Sequence, residues 1–268
     1  MLDKIPEYKI YALKYATRDA RRADHFIGGD PHDGPMPMDY FTWVVVGPDR
    51  LLLVDTGFTA EVAARRKRTF LRCPIESLRL LDIDPDAVTD VVLTHLHYDH
   101  VGNFDKLPRA RFHLQEKELA FATGRHIRYP YFAHGFEEED IVGVVRLNFR
   151  QRLELYNGDV ELAPGLTLHF APGHTAGLQV VRVNTQRGYV VLASDSSHYY
   201  ENLQTNRPFI AVVDIAATLD AFRTVERLAT SSRHIIPGHD PLVMKHYPAA
   251  SESLQDVVVR LDVDPKQP

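Results

Sequence analysis

The six-residue segment HLHYDH, which begins at His95, carries four side chains of the types that bind metal ions. It directly follows the apolar run 90–94, which predicts a buried β-strand. In an extended chain alternate residues project to the same side, so His95 and His97 are expected to face one point. Asp99 and His100 follow where the chain turns and are expected to face a second point. The segment therefore predicts a metal site at the end of a strand.

Three more candidate ligands come after later predicted strands, each among turn residues. His174 lies in the run APGHT, Asp195 in SDS and His239 in PGHD. Ligand-binding residues of open α/β proteins collect at the carboxyl ends of strands. We therefore expect these side chains to meet the HLHYDH segment in one cleft.

Cysteine usage limits the kind of metal site. The single cysteine, Cys73, excludes a thiolate cage and an internal disulfide, and fits a reducing compartment. Imidazole and carboxylate ligands suit Zn²⁺, with Fe, Mn or Co as competitors. The predicted partition places His95, His97 and His174 on one ion and Asp99, His100 and His239 on the other, with Asp195 bridging the two. Each ion keeps an open position, as catalytic sites do.

Charge and hydropathy exclude two classes of partner. Lys and Arg number 31 against 36 Asp and Glu, a net charge of −5, so a protein that reads the phosphate backbone of nucleic acid is not expected. Charged residues interrupt every apolar stretch of the first thirty residues, and no later run approaches eighteen apolar residues. We expect a cytoplasmic protein that does not span a membrane.

The periodicity of apolar residues predicts an α/β fold. The predicted strands are 8–15, 40–46, 51–55, 90–94, 111–114, 166–170, 178–183, 189–193 and 234–236, and the predicted helices include 116–122, 137–149, 216–229 and 248–258. Strands that alternate with helices are typical of layered α/β proteins. Since no linker divides the chain, we expect one domain over residues 1–268, with two sheets and helices outside them.

The order of the motifs resembles the metallo-β-lactamase superfamily. The run Asp55-Thr56-Gly57, then HLHYDH, and then PGH, SD and PGHD span most of the chain, and the form HLHYDHVGN is most similar to the N-acyl homoserine lactonase group. The resemblance implies an αβ/βα four-layer sandwich, in which two mixed sheets pack face to face. It assigns Asp55 a supporting role behind the metal ligands. True β-lactamases usually lack the bridging aspartate, so Asp195 favours a dinuclear hydrolase.

The resemblance also implies an activity, the opening of an N-acyl homoserine lactone or another small cyclic ester with two Zn²⁺ per chain. A hydroxide that bridges the ions would attack the carbonyl carbon, and Asp99 would pass the proton onward while remaining a ligand. The lactonase group places a tyrosine three residues after the bridging aspartate. Here that position is His198, so His198 or a neighbouring tyrosine is expected to stabilise the oxyanion.

Substrate contacts are expected from apolar side chains in irregular segments. The proline-rich segment that begins at His25 contributes the candidates Met36, Met38 and Phe41. An expected insertion over residues 124–149 contributes Tyr129, Tyr131, Phe132 and Phe136, and Tyr199 lies beside His198. Aromatic clusters also serve as core or dimer contacts, so the chain is expected to be a monomer or a homodimer.

Three other functions stay open on sequence grounds. A glyoxalase-type thioester hydrolase uses the same ligands but commonly adds a C-terminal helical domain, which the sequence does not indicate. A mononuclear iron persulfide dioxygenase has related ligands and differs in metal count. A metal-binding module without activity does not explain the open coordination positions.

Overall fold

The computed structural model describes residues 5–266 as two β-sheets packed face to face, with helices on their outer faces. Residues 1–4 and 267–268, the two ends of the predicted domain, lie outside the described residues. The single-domain organisation stays a prediction, and the core shared by the two sheets supports it.

Strands of the first sheet come mainly from the first half of the chain. They are β1 Lys9–Arg18, β2 Met38–Val46, β3 Leu51–Val54, β4 Thr69–Phe70, β5 Asp90–Val92, β6 Arg111–Gln115 and β7 Leu153–Tyr156. The second sheet contains β8 Val160–Ala163, β9 Leu166–Phe170, β10 Gln179–Thr185, β11 Gly188–Ser194 and β12 Ile235–Pro237, and β13 Val258–Arg260 returns to the first sheet. The strand orders are β13-β1-β2-β3-β5-β6-β7, with β4 beside β1, and β12-β11-β10-β9-β8. Both sheets contain parallel and antiparallel pairs and are therefore mixed.

Helices cover both outer faces. They are α1 Ala60–Arg66, α2 Glu116–Ala122, α3 Pro130–Ala133, α4 Glu138–Phe149, α5 Tyr200–Thr205, α6 Ile215–Leu228 and α7 Leu242–His246. Short 3₁₀ segments lie at Arg22–Asp24, Glu76–Leu81, Pro85–Ala87, Phe104–Lys106, Arg125–Arg128, Ser232–His234 and Glu252–Leu254. In the part of the chain that the structure describes, no helix is long and apolar enough to cross a membrane.

Apolar packing explains the four layers. Val144 and Leu147 of α4 are buried against the first sheet, and Phe222 and Val225 of α6 are buried against the second. Between the sheets lies a core of fully buried side chains, with Trp43 of β2 as the largest. Complete burial of one such apolar side chain contributes about 1.5–3 kcal/mol. The four-layer αβ/βα sandwich that the sequence predicted is confirmed.

The last predicted helix, over residues 248–258, is wrong. This segment contains only the 3₁₀ turn Glu252–Leu254 before it enters β13. There Val258 pairs with Leu13 and Arg260 with Tyr11 of β1. Without β13, the outer edge of β1 would leave a row of backbone hydrogen-bonding groups unpaired, so the need to cover this edge outweighs the local helical pattern.

Candidate metal centre

The predicted metal ligands come from loops of both sheets that leave the strands at one edge of the sandwich. The HLHYDH segment begins three residues after Val92, the last residue of β5 in the first sheet. His174, Asp195 and His239 follow β9, β11 and β12 of the second sheet. Since strand ends at the same edge lie close together, residues far apart in sequence converge there.

The structure brings all seven predicted ligands into two adjoining groups. His95, His97, His174 and Asp195 form the first, and Asp99, His100 and His239 form the second. In each group the donor atoms lie within 4.8 Å of one another. The two groups have the membership of the predicted partition, in which Asp195 bridges the ions, and the binding of metal by these residues stays a prediction.

Asp195 turns a different oxygen toward each group. Its Oδ2 lies 3.2 Å from Nε2 of His174 and 3.8 Å from Nε2 of His95. Its Oδ1 lies 3.0 Å from Nε2 of His239 and 3.4 Å from Nε2 of His100. A carboxylate placed in this way has one oxygen available for each of two ions.

Hydrogen bonds behind the histidines fix which ring nitrogen faces the centre. Nδ1 of His174 lies 2.7 Å from the carbonyl oxygen of Ala211, and Nδ1 of His239 lies 2.9 Å from that of Asp39. A carbonyl oxygen can only accept, so Nδ1 carries the proton in both rings and Nε2 keeps a lone pair. Such outer hydrogen bonds are the usual support of histidine ligands.

Unpartnered buried atoms show that the residues fit a metal pair. Nε2 of His95, His100 and His239 and Oδ1 of Asp195 are buried and have no hydrogen-bond partner among the described residues. Buried polar atoms are normally paired because leaving one unpaired costs about 1–3 kcal/mol. Four such atoms, divided between the two adjoining groups, are explained by a cation bound in each group.

Asp55 supports the second group from behind, as the resemblance implied. Its Oδ2 accepts a hydrogen bond from Nδ1 of His100 at 2.7 Å and from the hydroxyl of Thr94 at 2.8 Å, while its Oδ1 accepts from the Thr94 backbone N–H at 2.7 Å. Complete burial raises the pKa of Asp55, and the contact with His100 opposes this shift. Asp55 adopts a φ of 62°, a left-handed conformation that costs a non-glycine residue energy.

Burial also determines the protonation state of two histidines in the first group. Desolvation and the neighbouring histidines hold the pKa of His95 and of His97 well below the usual value. Both rings are therefore neutral at physiological pH, which is the form that binds a metal ion.

Glu118 of α2 is a functional residue that the sequence analysis missed. It is completely buried, and its two oxygens accept hydrogen bonds from the backbone N–H groups of Leu96 at 3.0 Å and Gly177 at 2.8 Å. Leu96 separates His95 from His97, and Gly177 lies three residues after His174. One carboxylate thus holds together two ligand loops from different sheets, a role that no local motif announces.

Gly135, in the segment between α3 and α4, packs against His97 of the first group. A Cβ at this position would overlap the imidazole of His97, and the Gly135 carbonyl accepts a hydrogen bond from the Tyr98 N–H at 2.8 Å. A side chain here would push His97 away from the other donors.

His198 lies against the bridging carboxylate. Its Nε2 is 3.0 Å from Oδ2 of Asp195, and its ring stacks on Phe209 with centroids 3.6 Å apart. Burial lowers the pKa of His198 to about 3, so the ring is neutral at physiological pH. Because a carboxylate oxygen can only accept, the single N–H of this neutral ring lies on Nε2 and is donated to Asp195.

A cavity of about 630 Å³ opens over the two groups. Four of the eight predicted substrate contacts line it, namely Met38, Tyr131, Phe132 and Phe136. Phe209 lines it as well and was missed, because it lies in a loop without a periodic pattern.

The structure does not bring the other four predicted substrate contacts to this cavity. Phe41 points into the core between the sheets, because it lies on the inner face of β2. Met36 and Tyr199 line a neighbouring cavity, where the Tyr199 hydroxyl donates to the carbonyl oxygen of Pro37 at 3.0 Å. Tyr129 is exposed before α3.

Comparisons with known proteins agree with this architecture. Residues 37–253 match the family profile of the metallo-beta-lactamase superfamily. The N-acyl homoserine lactonase AttM of Azorhizobium caulinodans is 28% identical over 243 residues, which cover 80% of this chain and 85% of that protein.

Two solved structures share the fold. A quorum-quenching N-acyl homoserine lactone lactonase superposes with a TM-score of 0.75 at 21% identity, over 90% of this chain and 95% of its own. The dizinc quorum-quenching lactonase AidC, solved with a product, superposes with a TM-score of 0.67 at 18% identity, over 89% of each chain. The profile match extends over most of the sequence and includes all seven residues of the two donor groups. The chain therefore belongs to the metallo-β-lactamase superfamily.

Proposed function

We propose that this protein is a metal-dependent hydrolase that opens the ring of a lactone. The observation that carries the proposal is the Asp195 carboxylate, whose two oxygens face two separate groups of metal-binding side chains under an open cavity. The lactonase activity of the similar proteins supports it at the level of the family.

The residues that would hold the metal ions follow from the two groups. His95, His97 and His174 would bind one Zn²⁺, Asp99, His100 and His239 the other, and Asp195 both. Bound ions supply a nucleophile from water at neutral pH and stabilise negative charge on the substrate oxygens. The neutral imidazoles of His95 and His97 support Zn²⁺ in the first position, and the dizinc centre of the similar protein AidC supports two ions.

Two side chains of the centre are assigned catalytic roles. Oδ2 of Asp99 lies 3.6 Å from Nε2 of His239 and borders the cavity, so it can take a proton from the attacking water and return it to the ring oxygen. With Asp195 bound to the ions, the Nε2–H of His198 that lies against it would donate its hydrogen bond to the carbonyl oxygen of the substrate instead. Hydrogen bonds to that oxygen strengthen as negative charge develops in the transition state.

The reaction consumes one water for each lactone. The water oxygen bonds to the carbonyl carbon, the bond between this carbon and the ring oxygen breaks, and the ring oxygen takes a proton to become a hydroxyl. The other product group is a carboxylic acid, which ionises at neutral pH. Turnover is therefore measurable as proton release.

A substrate panel with metal analysis tests the proposal. N-hexanoyl homoserine lactone, an aromatic lactone and S-lactoylglutathione would be compared by proton release, with the metal content of the same sample measured. We expect about two zinc ions per chain and turnover of at least one lactone. Asp195→Asn should lose both, whereas Asp159→Asn, an exposed carboxylate that pairs with His169, should lose neither.

Two other results would each identify a different reaction. Thioester turnover without lactone turnover would identify a glyoxalase-type hydrolase. One iron per chain with oxygen-dependent persulfide oxidation would identify a dioxygenase.

A further inference from the structure

Two arginines border the cavity of the metal centre. Arg18 is the last residue of β1 and pairs with Met38 of β2, and Arg68 lies between α1 and β4. Both are half-buried, and both line the 630 Å³ cavity that also contains Asp99 and Asp195. Two permanently charged guanidinium groups of the chain therefore line the cavity over the metal centre.

Among residues 5–266, neither guanidinium has a carboxylate within ion-pair distance. Asp99 acts on Arg68 only at longer range, where it raises the pKa of the guanidinium. Arg68 donates to the Tyr98 hydroxyl at 3.0 Å and to the Arg66 carbonyl oxygen at 2.6 Å, both of which are uncharged.

Nearby arginines, in contrast, are paired. Arg65 and Arg66 bind Glu137 at 2.6 Å and 2.7 Å, and Arg22 binds Glu201 at 2.6 Å. A partly buried cation without a counter-ion costs free energy because it loses contact with water. Two such cations in one cavity therefore indicate a bound anion that the described residues do not provide.

The acidic residues of the cavity do not fill this need. Asp99 and Asp195 face the histidines of the two donor groups. Asp24 is exposed, and its carboxylate accepts from the backbone N–H of Arg21 at 3.3 Å.

Aromatic contacts place Arg68 on one side of the centre. The Tyr98 hydroxyl, to which Arg68 donates, lies 3.3 Å from the Tyr40 hydroxyl, and the Tyr40 ring packs edge-on against His239 with centroids 5.1 Å apart. Arg68 is thus on the side of the group formed by Asp99, His100 and His239. The apolar wall that contains Phe132 and Phe209 is left for the uncharged part of a ligand.

We infer that the lactone opened by this protein is acidic, and that Arg18 and Arg68 bind a carboxylate attached to it. Guanidinium groups match carboxylates in charge and geometry, and such charged hydrogen bonds are stronger than neutral ones. An uncharged acyl homoserine lactone would leave both arginines without a counter-ion. The inference rests on the proposed lactonase function and narrows its substrate class.

A matched pair of substrates tests it. The γ-lactone 5-oxotetrahydrofuran-2-carboxylate and its methylamide differ by one negative charge, and kcat/KM would be measured for both. We expect the acid to be preferred at least about tenfold. Arg18→Gln and Arg68→Gln should each lower kcat/KM for the acid about 10- to 100-fold and leave the value for the amide within about twofold. Arg65→Gln, outside the cavity, is the matched control and should change neither.

A binding measurement separates this inference from the lactonase proposal. Isothermal titration calorimetry would compare glutarate with glutaramide on the metal-loaded protein and on the Arg18→Gln/Arg68→Gln double variant, with thermal melting as a check on folding. Tighter binding of glutarate that is lost in the double variant supports anion recognition, even if no lactone is hydrolysed and the proposed function fails. Equal kcat/KM for acid and amide, or glutarate binding that the double variant retains, overturns the inference.

Discussion

His198 stands where the lactonase group has a tyrosine, and its neutral ring is held between Asp195 and Phe209. We expect His198→Phe to lower kcat for the best lactone about 10²- to 10³-fold, because a donor to the oxyanion is removed. His198→Tyr, which restores a hydroxyl at this position, should retain more of the activity. Steady-state kinetics with metal analysis of each variant make the measurement.

The metal content distinguishes a catalytic role of His198 from a structural one. Both variants should bind as much metal as the wild type, and KM should change less than kcat. The exposed His32→Phe is the control for replacing an imidazole with an apolar ring. A loss of metal in His198→Phe that parallels the loss of activity would contradict the assignment.

Functional residues could be predicted where several metal-binding side chains lie close together in the sequence. His95 to His100 are contiguous, and the later ligands each follow a strand, so their grouping could be foreseen. Glu118, Arg18 and Arg68 could not, because each lies in an ordinary local sequence and gains its role only when distant segments meet.

At the scale of secondary-structure elements, the N-terminus of α4 contains a carboxylate whose charged form is disfavoured by burial. Asp140 lies in the first turn, where the helix dipole favours negative charge, yet its Oδ2 is buried and has no hydrogen-bond partner within residues 5–266. Burial, helped by the nearby Glu137, raises the pKa of Asp140 from 3.8 to about 7. The folded protein therefore keeps a proton on Asp140 that the unfolded chain releases between about pH 4 and pH 7.

This difference makes the stability of the fold depend on pH. Because the pKa is higher in the folded state, the contribution of Asp140 to stability is lost as the pH rises through that window. We expect Asp140→Asn to stabilise the protein more at pH 8 than at pH 5, by about 1–2 kcal/mol. Urea unfolding at the two pH values measures this.

The neighbouring residue provides the control for this prediction. Glu138 is in the same turn and exposed, so Glu138→Gln should show no such difference between the two pH values. The same free-energy change for Asp140→Asn at both pH values would refute the burial argument.

Helices and strands were predictable in proportion to their length and burial. The apolar strands β5 and β9 and the amphipathic α6 are clear in the sequence. The short, half-exposed β7 and β8 were missed, since four residues give little alternation. The pairing of β13 with β1 is set by tertiary structure, which a local pattern does not contain.

For the whole molecule, binding of metal ions to the folded state alone should appear as thermal stability. An ion at about a hundred times its dissociation constant adds about 2.7 kcal/mol, and each kcal/mol shifts the melting temperature by about 2–4 °C at this size. We therefore expect EDTA to lower the melting temperature by roughly 5–10 °C, and zinc to restore it. Differential scanning calorimetry measures the shift.

Two variants show whether this shift comes from the candidate centre. Asp195→Asn should melt at nearly the same temperature with and without EDTA, whereas Asp159→Asn should behave as the wild type. An undiminished response of Asp195→Asn to EDTA would mean that the stabilising ions bind elsewhere.

Each predicted ion takes ligands from both sheets: His95 and His97 face His174, and His100 faces His239. Ions bound there would hold the loops of the two sheets together, and the distance between these loops depends on the separation of the sheets, about 10 Å for stacked sheets. Trp43, fully buried in the core between the sheets, helps to set that separation. The spacing of the metal ligands therefore depends on the packing between the two sheets. A substitution of Trp43 is a way to change that spacing from outside the site.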